Sequence, residues 1–178
     1  MTNKALLFII TSFLCINITA QSDNVVSHCL AAGTQIRMWD DTMKDIENIQ
    51  VGDSIMSFDV ETQKYSTSKV KKVYSVMHSR LIRITLANDM QILTTYDHPF
   101  LSTNGWKSLD PNRTKSYKRY DDVEQYNIGD NLLYYDIVTT NYSTIKSIDG
   151  ITTPTKTYSL ELEGDGAFIA NSFLVGQE

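Results

Sequence analysis

The chain has 178 residues, a formal charge of −5 and two cysteines, Cys15 and Cys29. That length suffices for one domain with a sizeable core. A mildly acidic balance gives no electrostatic reason to bind nucleic acid or an anionic membrane, so neither is expected as a partner.

The chain opens on what reads as a targeting segment. Lys4 supplies a positive start, Ala5 to Ile16 is almost wholly apolar, and Asn17-Ile18-Thr19-Ala20 offers a small residue at a cleavage position. This is the order of a secretory signal peptide, too short and weakly flanked for a stable membrane span. A retained signal anchor is the alternative; a lipoprotein is disfavoured because bulky Leu14 precedes Cys15. Residues 1–20 are therefore read as signal peptide cleaved after Ala20, residues 21–28 as a short N-terminal segment, and 29–178 as the domain. The expected product is secreted, extracellular and monomeric, with no membrane contact after the signal is removed. Losing Lys4 takes the charge from −5 to −6, and losing Cys15 leaves Cys29 as the single thiol. Such a thiol is either a buried inert residue or a reactive one.

From Cys29 onward the chain reads as all-β. Ile82-Arg83-Ile84-Thr85-Leu86 and Ser159-Leu160-Glu161-Leu162 alternate, and Asp40-Asp41, Asn88-Asp89, Asn104-Gly105, Asp149-Gly150 and Gly164-Asp165-Gly166 punctuate. This is strand patterning with short connections. Only Lys44–Ile49 offers a helical turn. Asp110 to Gln125 is a polar stretch, with Arg113, Lys115, Lys118 and Arg119 close together, and reads as a solvated loop. Asn112-Arg113-Thr114 and Asn141-Tyr142-Ser143 are glycosylation sequons that matter only in a eukaryote. The chain also repeats itself: residues 52–69 fall on 129–146 without a gap. Gly52/Gly129, Asp53/Asp130, Asp59/Asp136, Tyr65/Tyr142, Ser66/Ser143, Thr67/Thr144 and Lys69/Lys146 are among the identical pairs. Ile84/Leu160 and Leu86/Leu162 match at a shift one residue smaller. A duplication with two equivalent halves follows.

The chemistry centres on Cys29 and on Thr95-Tyr96-Asp97-His98. A cysteine can attack the carbonyl carbon of its preceding residue through a five-membered ring and turn the amide into a thioester. The thiol must lose its proton, the oxyanion needs donors, and the amide nitrogen must gain a proton as it leaves. The scissile bond is then His28–Cys29, Cys29 the nucleophile and His98 the acid toward the Cys29 nitrogen. Thr95 can hold the scissile peptide through its hydroxyl, favouring a bent, strained geometry. Asp97 is a poor candidate to orient His98, because adjacent residues in a strand face opposite ways. His78 reads as a surface strand residue. No cofactor is expected, and no metal site, since no second cysteine or histidine pair at ligand spacing follows Cys29.

These blocks resemble a known family. Cys29-Leu30-Ala31-Ala32-Gly33-Thr34-Gln35-Ile36, then Lys44 to Asp53, is similar to the opening of a Hint domain, the autoprocessing module of hedgehog proteins, inteins and stand-alone intein-like proteins. Thr95-x-x-His98 matches its Thr-x-x-His block, and Tyr158 to Glu163 and Phe168 to Val175 resemble its closing strands. The resemblance implies a flattened, disk-like all-β fold with pseudo-two-fold symmetry. It implies a single-turnover, autoproteolytic activity, with the chain's own N-terminal segment as substrate and water or a small nucleophile to resolve the thioester. Three departures limit it. Splicing inteins end in His-Asn before a nucleophile, where this chain has Gly176-Gln177-Glu178. Ser159 stands where the family often has an acidic residue. No sterol-binding segment follows, as it does in hedgehog proteins. N-terminal self-cleavage without splicing is expected. The alternative is a non-catalytic secreted β-domain acting as a binding or structural module. A trans-acting cysteine protease has less support, since no orienting Asn or cleft signature accompanies Cys29 and His98.

Overall fold

A computed structural model describes residues 28–178. The signal-peptide reading of residues 1–20 and most of the short segment after it lie outside the described residues. The first half holds β1 (Leu30–Ala31), β2 (Gln35–Arg37), β3 (Met43–Asp45), β4 (Ser54–Asp59), β5 (Lys64–His78), β6 (Leu81–Leu86) and β7 (Gln91–Thr94). β8 (Phe100–Ser102) and β9 (Gly105–Ser108) lead into a one-turn helix, α1 (Pro111–Thr114), and then β10 (Glu124–Gln125). The second half closes with β11 (Asn131–Asp136), β12 (Thr139–Ile151), β13 (Thr155–Leu162), β14 (Ala167–Ala170) and β15 (Phe173–Val175). The helical turn expected near Lys44–Ile49 is a 3-10 turn at Ile46–Asn48, which buries Ile46.

The strands join in one antiparallel network, with a parallel pairing of β10 on β9. The apolar positions of the alternating stretches meet inside it. Leu30, Ile36, Ile55, Ile84, Leu86, Phe100, Tyr126, Leu160 and Phe173 belong to one buried cluster, and Phe58, Leu101, Tyr135, Ile169 and Leu174 to a second. Removing this much apolar surface from water is the main stabilising contribution for an all-β domain.

The repeat is visible as paired hairpins. β4 turns into β5 as β11 turns into β12, and the long arms exchange: β5 pairs with β13 as β12 pairs with β6. At the base of each hairpin the same two bonds recur. Gly52 N–H donates to the Val70 carbonyl and Val70 N–H to Asp53; Gly129 N–H donates to Ile145 and Ile145 N–H to Asp130. Each long arm carries a bulge that skips a lysine, Lys71 in β5 and Lys146 in β12. A bulge adds one unpaired residue and tightens the local twist, so the two halves bend at matching places.

The ungapped alignment holds for the leading strands and not for the returning ones. Tyr65 lies opposite Phe58, whereas Tyr142 lies opposite Leu133. The first hairpin spans residues 60–63 between its strands and the second only 137–138, so the return slips by two residues. A two-residue slip keeps every side chain on its face, which is why the pattern survives. The structural counterpart of Tyr65 is Thr140, and the Tyr65 hydroxyl lies 2.5 Å from the Thr140 Oγ.

Candidate active site

Cys29 precedes β1, a two-residue strand held on both sides. Leu30 pairs with Tyr158 of β13 and with Thr94 of β7. The chain then turns at Ala32-Gly33, where Gly33 takes φ +81°, a left-handed conformation that favours glycine. Thr34 closes that turn by donating its hydroxyl to the Ala31 carbonyl at 2.7 Å. The Cys-x-x-x-Gly-Thr spacing thus ends β1 promptly and fixes Cys29 at its start.

The Thr-x-x-His spacing is a turn. After β7, His98 N–H donates to the Thr95 carbonyl at 3.4 Å, so residues three apart return to the same side. Cys29 and this turn are tied by three bonds. Cys29 N–H donates to Thr95 Oγ at 3.0 Å. Its carbonyl accepts from Thr95 N–H at 3.0 Å and from the Thr94 hydroxyl at 3.0 Å. The hydroxyl of Thr95 therefore holds the His28–Cys29 peptide through its nitrogen. No cis peptide bond occurs among the described residues.

His98 packs edge-on against His28, with ring centroids 4.9 Å apart, and against Phe100 at 5.5 Å. Neither of its ring nitrogens closes a hydrogen bond of normal geometry among the described residues. Cys29 and His28 have no exposure and His98 has 1%. Burial pushes the His98 imidazole well below its usual pKa, and the neighbouring His28 adds to the shift. His28 falls from 6.5 to about 4, again chiefly through burial, with the Asp97 charge opposing. Both rings are neutral at neutral pH. Cys29 carries a thiol and no disulfide.

Asp97 does not orient His98. Its Oδ2 accepts from Arg113 Nε at 2.8 Å and from the Tyr117 hydroxyl at 2.6 Å. The segment 110–125 is consequently not the solvated loop that its composition indicates. Asp110 caps α1 by accepting from Arg113 N–H at 3.2 Å, Pro111 opens the turn, and Thr114 donates its hydroxyl to the Asp97 carbonyl at 2.8 Å. Thr114, Tyr120 and Val123 are buried. Tyr117 and Tyr120 lie edge-on to His28 at 4.7 and 5.8 Å. Sequence reasoning missed these two tyrosines. The available signal was buried or aromatic residues every third position, Thr114, Tyr117, Tyr120 and Val123, among charged neighbours.

The closing strands bring the far end of the domain to the same place. Val175 pairs with Phe100, Gly176 N–H donates to the Pro99 carbonyl at 2.9 Å, and Glu178 N–H donates to Leu160 at 3.0 Å. Ser159, which stands where a carboxylate is frequent, donates its hydroxyl to Glu178 Oε2 at 2.8 Å. That oxygen lies 3.7 Å from His28 Nε2. Glu178 thus brings a carboxylate to the position Ser159 leaves neutral. The Gln177 side chain is buried and committed: its Nε2 donates to the Gly164 and Gly166 carbonyls, and its Oε1 accepts from Leu162 N–H. No group of His, Cys, Asp and Glu among the described residues is arranged to hold a metal ion.

A paired-hairpin β fold that returns its last strand to a buried Cys-Thr-His cluster defines a Hint autoprocessing domain. Solved structures agree on the fold. The DnaB intein from Synechocystis sp. PCC 6803 superposes with a TM-score of 0.71 at 19% identity, covering 85% of this chain and 99% of that one. A bacterial intein-like domain from Clostridium thermocellum gives 0.67 at 21% identity, covering 84% and 98%. The chain belongs to the pretoxin HINT domain family, whose model matches residues 36–168. That match begins after Cys29. In sequence the chain is also 33% identical over 84 residues to the DNA-directed RNA polymerase III subunit rpc2 of Dictyostelium discoideum; the match takes in 44% of this chain and 5% of that protein.

Proposed function

We propose that this domain cleaves its own backbone at His28–Cys29 by an N-to-S acyl shift and does not splice. The observation that carries the reading is the Cys29 N–H donated to Thr95 Oγ at 3.0 Å while the His98 ring packs edge-on against the His28 ring, 4.9 Å between centroids, all out of water. The neutral His98 accepts the thiol proton as Sγ attacks the His28 carbonyl carbon. It then gives that proton to the Cys29 nitrogen as the carbon–nitrogen bond breaks. A depressed pKa makes the imidazolium, once formed, a stronger acid toward the leaving nitrogen. The new bond is a thioester between the His28 carbonyl and Cys29 Sγ, and the released amine is the Cys29 α-amino group. Water or another nucleophile adding to the thioester carbonyl restores the thiol and frees the segment ending in His28.

Incubating the intact chain with a strong thiol or hydroxylamine tests this by mass spectrometry. Release of the segment up to His28 is expected. Cys29→Ala should abolish release, and His98→Ala should slow it by ~10²–10⁴-fold, the usual range for acid–base assistance. Release that survives Cys29→Ala would remove the mechanism.

The N-terminal residues support export, with the signal removed after Ala20. Sequencing of secreted protein should begin at Gln21 or at Cys29; a chain that retains Met1 would exclude signal cleavage.

A further inference from the structure

We propose that Tyr117, Tyr120, His98, Asp97 and Glu178 form a recognition pocket for the side chain that precedes the nucleophile, and that this pocket makes processing selective for the imidazole of His28. The inference rests on the cleavage site assigned above and adds a specificity to it.

His28 is enclosed on every face that the structure shows. Three rings meet it nearly at right angles: Tyr117 at 87°, His98 at 86° and Tyr120 at 87°. Edge-to-face packing of this kind favours a flat aromatic occupant. The Glu178 carboxylate sits 3.7 Å from Nε2, and the Asp97 charge is felt at the ring. Among the described residues, neither imidazole nitrogen makes a hydrogen bond of normal geometry. Burying two polar atoms this way is costly in a core position, where a phenylalanine would fill the space without penalty. In a subsite whose rim carries two carboxylates, a ring that can present an N–H is the better occupant.

The Tyr117, Tyr120 and Glu178 walls are fixed by bonds that do not involve His28. Tyr117 is pinned by its hydrogen bond to Asp97, which Arg113 also holds. Tyr120 donates its hydroxyl to the Gln177 carbonyl at 2.9 Å. The phenol reaches that carbonyl across Gly176, where an added Cβ would meet the Tyr120 oxygen at 2.3 Å and Pro99 Cγ at 2.6 Å. Glu178 is held by Ser159. A pocket assembled independently of its occupant is preorganised, and preorganisation converts side-chain binding into placement of the reacting carbonyl. His28 is covalently joined to that carbonyl, so seating its ring sets the position of the carbon that Cys29 must reach.

The test is the rate of thiol-induced release for the intact chain and for His28→Phe, His28→Gly and His28→Glu, each also made with Tyr117→Ala. The unsubstituted chain should be fastest and His28→Phe next. His28→Gly and His28→Glu should be slower on the order of 10–100-fold, the discrimination a shaped pocket gives. Tyr117→Ala should collapse that spread. A purely structural Tyr117 would slow all four by one common factor, and a spread that survives Tyr117→Ala overturns the pocket. So do equal rates across the His28 series, which would leave the cleavage reading intact. A readout independent of cleavage uses the Cys29→Ala chain. Nuclear Overhauser contacts from the His28 ring to the Tyr117 and Tyr120 rings are expected, and a solvent-facing His28 ring overturns the proposal even if no cleavage is ever seen.

Discussion

Two neutral histidines side by side out of water make the site sensitive to acid. Above pH 6.5 the folded and unfolded chains both carry His28 uncharged, and stability is fully present. Between 6.5 and about 4 the unfolded chain takes up a proton that burial denies to the folded one. The unfolded state binds more protons there, so stability falls as pH falls through that window. For His28 the loss by pH 4.5 is about 2–3 kcal/mol, and His98, shifted the same way by burial, adds to it. Urea unfolding of the Cys29→Ala chain at pH 7 and 4.5 should show it, with His28→Phe removing part of the difference. An unchanged midpoint between the two pH values would mean that neither ring is buried neutral. Cys29, Thr95 and His98 were legible in the sequence because a turn and a strand end fix them within a few residues of recognisable neighbours. Asp97 was not, since its partners Arg113 and Tyr117 come from a different segment and only tertiary packing joins them.

The segment from α1 to β10 shows how composition misleads at the level of an element. Its charges are mostly outside, but every third residue from Thr114 to Val123 points in, and Tyr117 and Tyr120 close over His28. Arg113 carries this arrangement, being half-exposed itself while its Nε meets a carboxylate that is 1% exposed. Arg113→Ala leaves Asp97 buried with the Tyr117 hydroxyl as its remaining partner on Oδ2. Breaking a fully buried pair costs several kcal/mol, but solvent reaches the arginine side here, so about 1–2 kcal/mol is expected. Adding Asp97→Asn should recover part of that loss, because the stranded charge is gone. Urea midpoints for the two single variants and the double variant measure the coupling, and protease nicking within 111–120 should rise in Arg113→Ala alone. Strictly additive losses would show that the two side chains do not interact. The long strands were the readable elements, since alternation marks their buried faces. Hairpin register was not readable: the loop lengths 60–63 and 137–138 decide it, and alternation is blind to a slip of two.

At the scale of the whole molecule, the two halves exchange arms so that the last strand returns beside the first. Residues 28 and 178 therefore meet in one site although the rest of the domain lies between them. In a splicing domain that closeness lets the two flanking segments be joined. Here the residues that would break the far junction are committed elsewhere. Gly176 has no side chain, and the backbone beside it is packed against Tyr120 and Pro99. Cyclisation of Gln177 needs its amide nitrogen to attack its own carbonyl. That nitrogen donates to Gly164 and Gly166, and the carbonyl accepts from Tyr120. Freeing them means losing three buried hydrogen bonds, each net about 0.5–1.5 kcal/mol, and ordering one more rotor than asparagine has. Glu178 supplies neither thiol nor hydroxyl, and its carboxylate is engaged with Ser159 beside His28. A reporter fused after Glu178 should therefore stay attached while the N-terminal segment is released. Masses followed over a day decide it: domain plus reporter beginning at Cys29 is the expected species, and a reporter joined directly to the segment ending in His28 would show that the buried Gln177 network opens and that splicing competence survives.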